Sequence, residues 1–206
     1  MHRTRENAPH TAGRVLHQAW LYDLLGTKMS KGRDTLLELA APEPDEAILD
    51  VGCGTGTLAL AIAADTGSAD VTGIDASPEM IDMARRKAAK AGSGVNFQVA
   101  AIEDLPFPSE TFDLVTSSLM LHHLPTELKR AGIDEVRRVL RPRGRFLVMD
   151  FARESHSPAG HLLSILGRGR GARTADALVP MLTDAGFAGT QVIPTGHSNL
   201  VFVRAT

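Results

Sequence analysis

The sequence has 206 residues, 43% of them hydrophobic and 22% charged, with a formal net charge of −2, which fits one globular domain able to bury a sizeable core. So small a charge gives no reason to expect a polyanion as the main partner, and 4% aromatics are too few for a platform that stacks single-stranded nucleic acid. Cys53 is the single cysteine, the start MHRTRENAPH is polar, and no apolar run reaches the roughly 18 residues of a membrane span, so a reducing cytoplasm is the expected setting.

Residues 12–40 read as two helices separated near Gly26. Beyond them, short β-rich runs alternate with longer helical patterns, which predicts a parallel sheet covered on both faces. Strands are expected at AILDV (47–51), DVTGID (70–75), VNFQVA (95–100), FDLVTSSL (112–119) and RFLVMDF (145–151). Helices are expected over 57–64, 78–91, 126–140 and 174–185. Ser77-Pro78 marks a helix start, because serine caps free amides and proline suits the first turn. Gly186 closes the last helix, and TQVIPT (190–195) with NLVFVRA (199–205) forms a hairpin. No repeat or low-complexity linker divides the chain. It is read as a single domain, with N-terminal helices at 1–44, a core at 45–151, a variable insertion at 152–173 and a closing helix and strand pair at 174–206.

Chemistry concentrates where strands end. ILDVGCGTGTLAL runs from a buried strand into Asp50 and then Gly52, Gly54 and Gly56. Glycines there let backbone approach a ligand, and the following helix offers free amides. Gly54, Gly56 and Ala59 fit a dinucleotide variant, G-x-G-x-x-A, while the absence of a G-K-[ST] ending argues against a triphosphatase loop. Asp50 would repel a pyrophosphate but favour a ligand with an ammonium or sulfonium group; the plainer alternative is a carboxylate that caps a turn. Asp75, about 20 residues past the glycines, is placed to accept both hydroxyls of a ribose. Met80 would lie against an adenine face or simply pack in the core. Glu103 and Asp104 stand on a turn before Pro106, and Ser118 to His123 leave the fourth strand at the same edge. Ligands of open α/β sheets bind outside the carboxyl ends of the strands, so these groups converge on one crevice.

With DVGCGTG (50–56), GIDASPEMI (73–81), EDLPFPSETFD (103–113), EVRRVLRPRGRFLVMDF (135–151) and the terminal LTDAGFAGTQV (182–192), the sequence resembles the class I S-adenosylmethionine-dependent methyltransferases, in particular the ubiquinone/menaquinone biosynthesis C-methyltransferase-like group. The resemblance implies an α/β, Rossmann-like doubly wound sheet of seven strands, mostly parallel with an antiparallel last strand, and an N-terminal helical lid. It implies S-adenosyl-L-methionine as cofactor and S-adenosyl-L-homocysteine as product. Gly52, Cys53, Gly54, Thr55 and Gly56 would hold the methionine end beside Asp50. Asp75 would take the ribose with Ala76 and Met80 nearby, Ile102 and Glu103 would flank the adenine, and Ser118 would face the cofactor. Tyr22, with Asp23, would close from the lid, whereas Trp20 is expected to bury its helix on the sheet. Two departures are Ala101, where many relatives carry Asp or Asn, and RPRGR in place of R-P-G-G, expected to be a turn variant.

Methyl transfer is a displacement in which the protein chiefly aligns acceptor, methyl and sulfur. His122 and His123 stand at the right edge to act as a base if the acceptor must lose a proton, although either could instead anchor the loop. The acceptor is expected to be a small molecule, with a quinone-like ring or a lipid headgroup in view and no metal required; His156 and His161 show no metal-ligand spacing. HLLSILGRGRGAR (161–173) pairs apolar residues with Arg168, Arg170 and Arg173. It could rest on an anionic membrane surface, grip a phosphate, or form a solvated loop, the last being the default. Nucleic-acid methylation is disfavoured, since SSLMLHH replaces an N-P-P-Y-type motif. Two other readings stay open: a non-catalytic sensor or partner subunit that binds the cofactor or its product, and an NAD-dependent dehydrogenase, which leaves Asp50 and EDLPF unexplained. The oligomeric state is open, a homodimer included.

Overall fold

A computed structural model describes residues 26–67, 70–152 and 174–206. The first described helix, α1 (Gly26–Ala40), precedes β1 (Ile48–Val51), α2 (Thr57–Thr66), β2 (Val71–Asp75), α3 (Pro78–Ala91) and β3 (Asn96–Val99). Then come β4 (Phe112–Ser118), a 3-10 turn (Leu121–His123), α4 (Thr126–Val139), β5 (Leu140–Phe151), α5 (Thr174–Asp184), β6 (Thr190–Ile193) and β7 (Leu200–Ala205). Seven strands form one sheet in the order β3-β2-β1-β4-β5-β7-β6. β1 pairs in parallel with β2 and β4, and β4 with β5. β7 enters antiparallel between β5 and β6, as the resemblance implies.

The sequence alternation explains why helices cover both faces. Leu49 and Val51 of β1 point into one apolar cluster with Ile133 and Val136 of α4 and Leu182 of α5. Ile48 points into the other, with Leu36 of α1, Ile62 of α2 and Ile81 of α3. Period-two alternation then puts Asp50 on the face of Ile48, beneath α2. All of β1 is buried, and each buried Ile, Leu or Val contributes about 1.5–3 kcal/mol relative to exposure. The reversal of strand order lies between β1 and β4, so the carboxyl ends of these strands open the crevice that a doubly wound sheet offers a ligand.

β5 is longer than the strand expected at 145–151. Its register against β4 passes from Phe112–Leu140 to Leu114–Arg145, so RPRG bulges out opposite Asp113. Arg143 turns in the left-handed region at φ 70, and a Cβ on Gly144 would stand 2.9 Å from the Arg141 carbonyl. The variant of R-P-G-G is therefore a bulge inside the strand, away from the carboxyl edge.

The end of α1 is fastened by side chains rather than by a glycine cap. The last carbonyls of a helix lack intrahelical donors. Here Arg145 donates to the Ala40 carbonyl from Nε at 3.0 Å and Nη2 at 2.8 Å, and to that of Ala41 at 3.0 Å. Arg145 also meets both carboxylate oxygens of Glu46, while Arg204 of β7 donates to Leu39. Removing Arg145 takes its donors from the Ala40 and Ala41 carbonyls and from the Glu46 carboxylate. Arg145→Ala is expected to cost about 2–3 kcal/mol in urea unfolding; a loss below about 0.5 kcal/mol, the level of an ordinary surface change, would show that the clasp adds no stability.

Candidate functional site

β1 ends in a turn whose three glycines all have positive φ: Gly52 at 67, Gly54 at 53 and Gly56 at 77. Packing explains two of them. Met120 covers Gly52, and a Cβ on Gly56 would lie 2.6 Å from the Phe97 ring of β3. Gly54 is different, because a Cβ there would meet nothing within 4 Å. Its backbone faces open space, held in place by β2: the Gly54 N–H donates to Asp75 Oδ2 at 2.9 Å and the Cys53 N–H to the Ile74 carbonyl at 2.8 Å. Thr55 is fixed from behind by Lys87 of α3, whose Nζ donates to Thr55 Oγ1 at 2.6 Å and to Thr57 Oγ1 at 3.2 Å. The Cys53 thiol lies half-buried in the turn, and burial pushes it up, with Asp50 and Asp75 adding to the rise.

Asp50 is 1% exposed. Thr116 of β4, its register partner, donates to Oδ1 at 2.8 Å, while Oδ2 is buried with no hydrogen bond among the described residues. Burial pushes the carboxyl up to about 7 against the pull of the Thr116 hydroxyl; Asp75 raises it further, and the backbone of Ala59 at the start of α2 lowers it least. A carboxylate left half-satisfied in this way is poised for a cationic group. Asp75 ends β2 with Oδ1 accepting the Ser77 N–H at 2.9 Å and Oδ2 accepting that of Gly54. Burial raises it as well, opposed by those two amides. Ser77 caps α3 as expected, accepting the Met80 N–H at 3.3 Å, so Ala76 and Met80, both half-buried, stand at the same edge.

The loop after β3 brings Ile102 and Glu103 to different environments. Ile102 is 5% exposed, and a Cβ on Gly132 of α4 would lie 2.9 Å from its side chain. Glu103 is half-buried. What holds this loop is a pair in α4. Glu135 accepts the Leu105 N–H at 2.9 Å, and Arg138 donates to the carbonyls of Phe107 at 2.8 Å and Leu105 at 3.0 Å. The two are joined by Arg138 Nε to Glu135 Oε1 at 2.7 Å, and this guanidinium holds the Glu135 carboxyl below the usual range.

At the end of β4, Ser118 is half-buried and paired in register with Met149. Leu119 then adopts a left-handed φ of 56 and donates its N–H to the Met149 carbonyl at 2.8 Å. This bend delivers the two histidines to different places. The His122 side chain is 5% exposed and its Nδ1 lies 2.5 Å from Asp150 Oδ1, whereas His123 is exposed. Tyr22, Trp20, Asp23, His156, His161 and the segment 161–173 lie outside the described residues.

Thr116, Lys87, Asp150 and the Glu135–Arg138 pair were not expected from the sequence. Asp150 carried a signal, since it lies at the carboxyl end of β5, and the i, i+3 spacing of Glu135 and Arg138 carried a weaker one. Nothing local marks Thr116 or Lys87, whose partners are distant in the chain.

The residues present fit S-adenosylmethionine. Gly54 leaves backbone open to a ligand, the buried Asp50 Oδ2 suits a cationic end, and the Asp75 oxygens each retain acceptor capacity for a hydroxyl. A cation beside Asp50 lowers its pKa, so binding below about pH 7 must release a proton. Cofactor affinity is expected to rise between pH 5.5 and 7.5 by calorimetry and to lose most of that slope in Asp50→Asn; an unchanged slope would show that Asp50 does not face the cation. Without ligand the sign is opposite. The folded state keeps a proton that the unfolded chain releases from about pH 4 upward, so Asp50 lowers stability progressively up to about pH 7. Arg138→Met should free the 103–107 loop and weaken cofactor binding about tenfold, or about 1.4 kcal/mol; unaltered affinity would make the Glu135–Arg138 pair irrelevant to the site.

Residues 48–144 match the family model described as a methyltransferase domain. The chain is 38% identical over 139 residues to the ubiquinone/menaquinone biosynthesis C-methyltransferase UbiE of Geotalea daltonii, covering 64% of this chain and 58% of that protein. It is 33% identical over 178 residues to an arsenite methyltransferase of Halobacterium salinarum, covering 84% of this chain and 45% of the relative. The matches thus span about half the length of these curated relatives. Among solved structures, the YcgJ protein of Bacillus subtilis superposes with a TM-score of 0.66 at 28% identity, over 80% of this chain and 71% of that one. With the antiparallel β7 inserted in the sheet and the glycine turn set against Asp75, the chain resembles the class I S-adenosylmethionine-dependent methyltransferases, in particular the group similar to UbiE, and carries the methyltransferase-domain match over residues 48–144.

Proposed function

We propose that the protein transfers the methyl group of S-adenosylmethionine to a small lipophilic acceptor by direct displacement at the carboxyl edge of β4 and β5. The cofactor supplies an activated methyl on a good leaving group. The chain's own task is to hold, orient and exclude water. The observation that carries the acceptor reading is the wall after β4. After the left-handed bend, Leu119 and Met120 are half-buried apolar side chains, Met120 lies over Gly52, and the buried Phe151 ring stands 4.9 Å from that of His122. An apolar wall with one imidazole suits a ring or lipid-like molecule better than a highly charged metabolite.

Support also comes from the relative named for ubiquinone and menaquinone biosynthesis. Arsenite, named for another relative, fits this sequence less well. A soft centre of that kind favours thiolate ligands, and the single cysteine here is a thiol that burial keeps protonated. No described helix is long and apolar enough to cross a membrane; if the acceptor comes from a bilayer, residues 161–173 are the segment we assign to contact with its anionic surface. Purified protein given methyl-labelled cofactor and a cell extract is expected to place label in the organic-soluble fraction. Label confined to the aqueous fraction would overturn the lipophilic acceptor, and binding of cofactor without any labelled product across extracts would favour a sensor.

A further inference from the structure

We infer that the protein forms a two-fold dimer by antiparallel pairing of β6 with β6 of a second copy, which joins two seven-stranded sheets into one and sets the two α5 helices on the same face. Such pairing is independent of the acceptor that the site takes. The observation behind it is a contrast between the two edges of the sheet, β3 and β6.

An edge strand presents main-chain N–H and C=O groups that another chain can pair with, and proteins commonly blunt such edges with charge. At β3 this is done. The Ala100 N–H donates to the Asp75 carbonyl at 3.1 Å, so Val99, the register partner of Asp75, turns its own main-chain groups outward, and by alternation Phe97 does the same. Arg85 of α3 then fills the Phe97 carbonyl, from Nε at 3.0 Å and from Nη2 at 2.7 Å. A guanidinium on that edge would meet its own copy in a symmetric pairing, and like charges so placed repel. The guarded edge is also the one beside β2, whose Asp75 holds the glycine turn.

β6 carries no such guard. Gly189 and Thr206 exchange both main-chain hydrogen bonds, at 3.0 and 2.8 Å. Antiparallel pairs alternate between bonded and non-bonded, so Thr190, opposite Ala205, and Val192, opposite Val203, direct their main-chain groups away from β7. Among the described residues β6 pairs only with β7. From Phe187 to Gly196 the chain has no charged residue, and Val192 is 45% exposed. A second copy suits this edge, because a two-fold axis through β6 sets neutral residues against one another and lets Val192 shield the partner's Val192. Pro194 offers no N–H to a ladder and keeps the pairing short. Four residues of strand alone fall below the roughly 800 Å² per partner of a stable interface. α5 supplies further contact: it packs on β6 and β7, and an axis normal to the sheet brings both copies of it together. The cofactor crevice between β1 and β4 stays clear of this edge in both copies.

The test is the mass of the full chain in solution, by light scattering after size exclusion, with sedimentation equilibrium for the dissociation constant. The wild-type protein should be a dimer. Val192→Lys sets like charges against each other across the axis. Val192→Pro removes an N–H that points away from β7, so the bonds within the chain remain. Each should weaken the dimer about tenfold or more, with circular dichroism and S-adenosylhomocysteine affinity unchanged. Arg85→Ala should add association beyond the dimer, because it opens β3 as well. A wild-type protein that is monomeric at about 100 μM, above the constants of specific interfaces, would overturn the inference. A dimer indifferent to both Val192 variants would place the interface elsewhere and overturn it too. An Arg85→Ala protein that stays a simple dimer would remove the contrast between the edges.

Discussion

The hydrogen bond from Thr116 to the buried carboxylate of Asp50 joins β1 to β4 where the order of the parallel strands reverses. It satisfies one oxygen of a group that costs free energy to bury and leaves the other with no hydrogen bond among the described residues. Folding therefore builds a local electrostatic deficit at the mouth of the crevice, tolerable because apolar clusters on both faces of the sheet hold β1 in place. A ligand positive at one end and hydroxylated at the other relieves that deficit. The glycine turn matters because it brings backbone, with no side chain at Gly54, to the same point.

The rest of the site is organised outward from this seam by contacts between neighbouring strand ends. Asp75 of β2 fastens the glycine turn through the Gly54 amide and starts α3 through Ser77. Glu135 and Arg138 on α4 hold the loop after β3. On the other side of β1, the left-handed bend at Leu119 and the carboxylate of Asp150 set the wall after β4. On the proposed reading, cofactor-facing and acceptor-facing groups come from opposite sides of one strand, which suits a reaction whose demand is alignment.

Much of this was legible in the sequence, for a specific reason. Alternation of strand and helix patterns, the Ser77 cap and the glycine spacing are local, and local signals located β1 to β4, α3 and the positions of Asp50 and Asp75. The longer β5 was missed because its bulge depends on pairing with β4, which no window of sequence contains. Thr116, Lys87 and Asp150 were missed for the same cause: each acts through a partner between 28 and 66 positions away. The sequence singled out both histidines equally. Only tertiary structure separates His122, held by Asp150, from the exposed His123. Ile102, which the resemblance assigns to the adenine, is 5% exposed with its side chain against Gly132.

The most direct measurement is calorimetric titration with S-adenosylmethionine and, in parallel, with NAD. The site described here predicts saturable binding of S-adenosylmethionine that Asp75→Ala weakens at least tenfold, about 1.4 kcal/mol, with no comparable heat from NAD. Tight binding of NAD, or S-adenosylmethionine affinity indifferent to Asp75, would contradict the account at its centre.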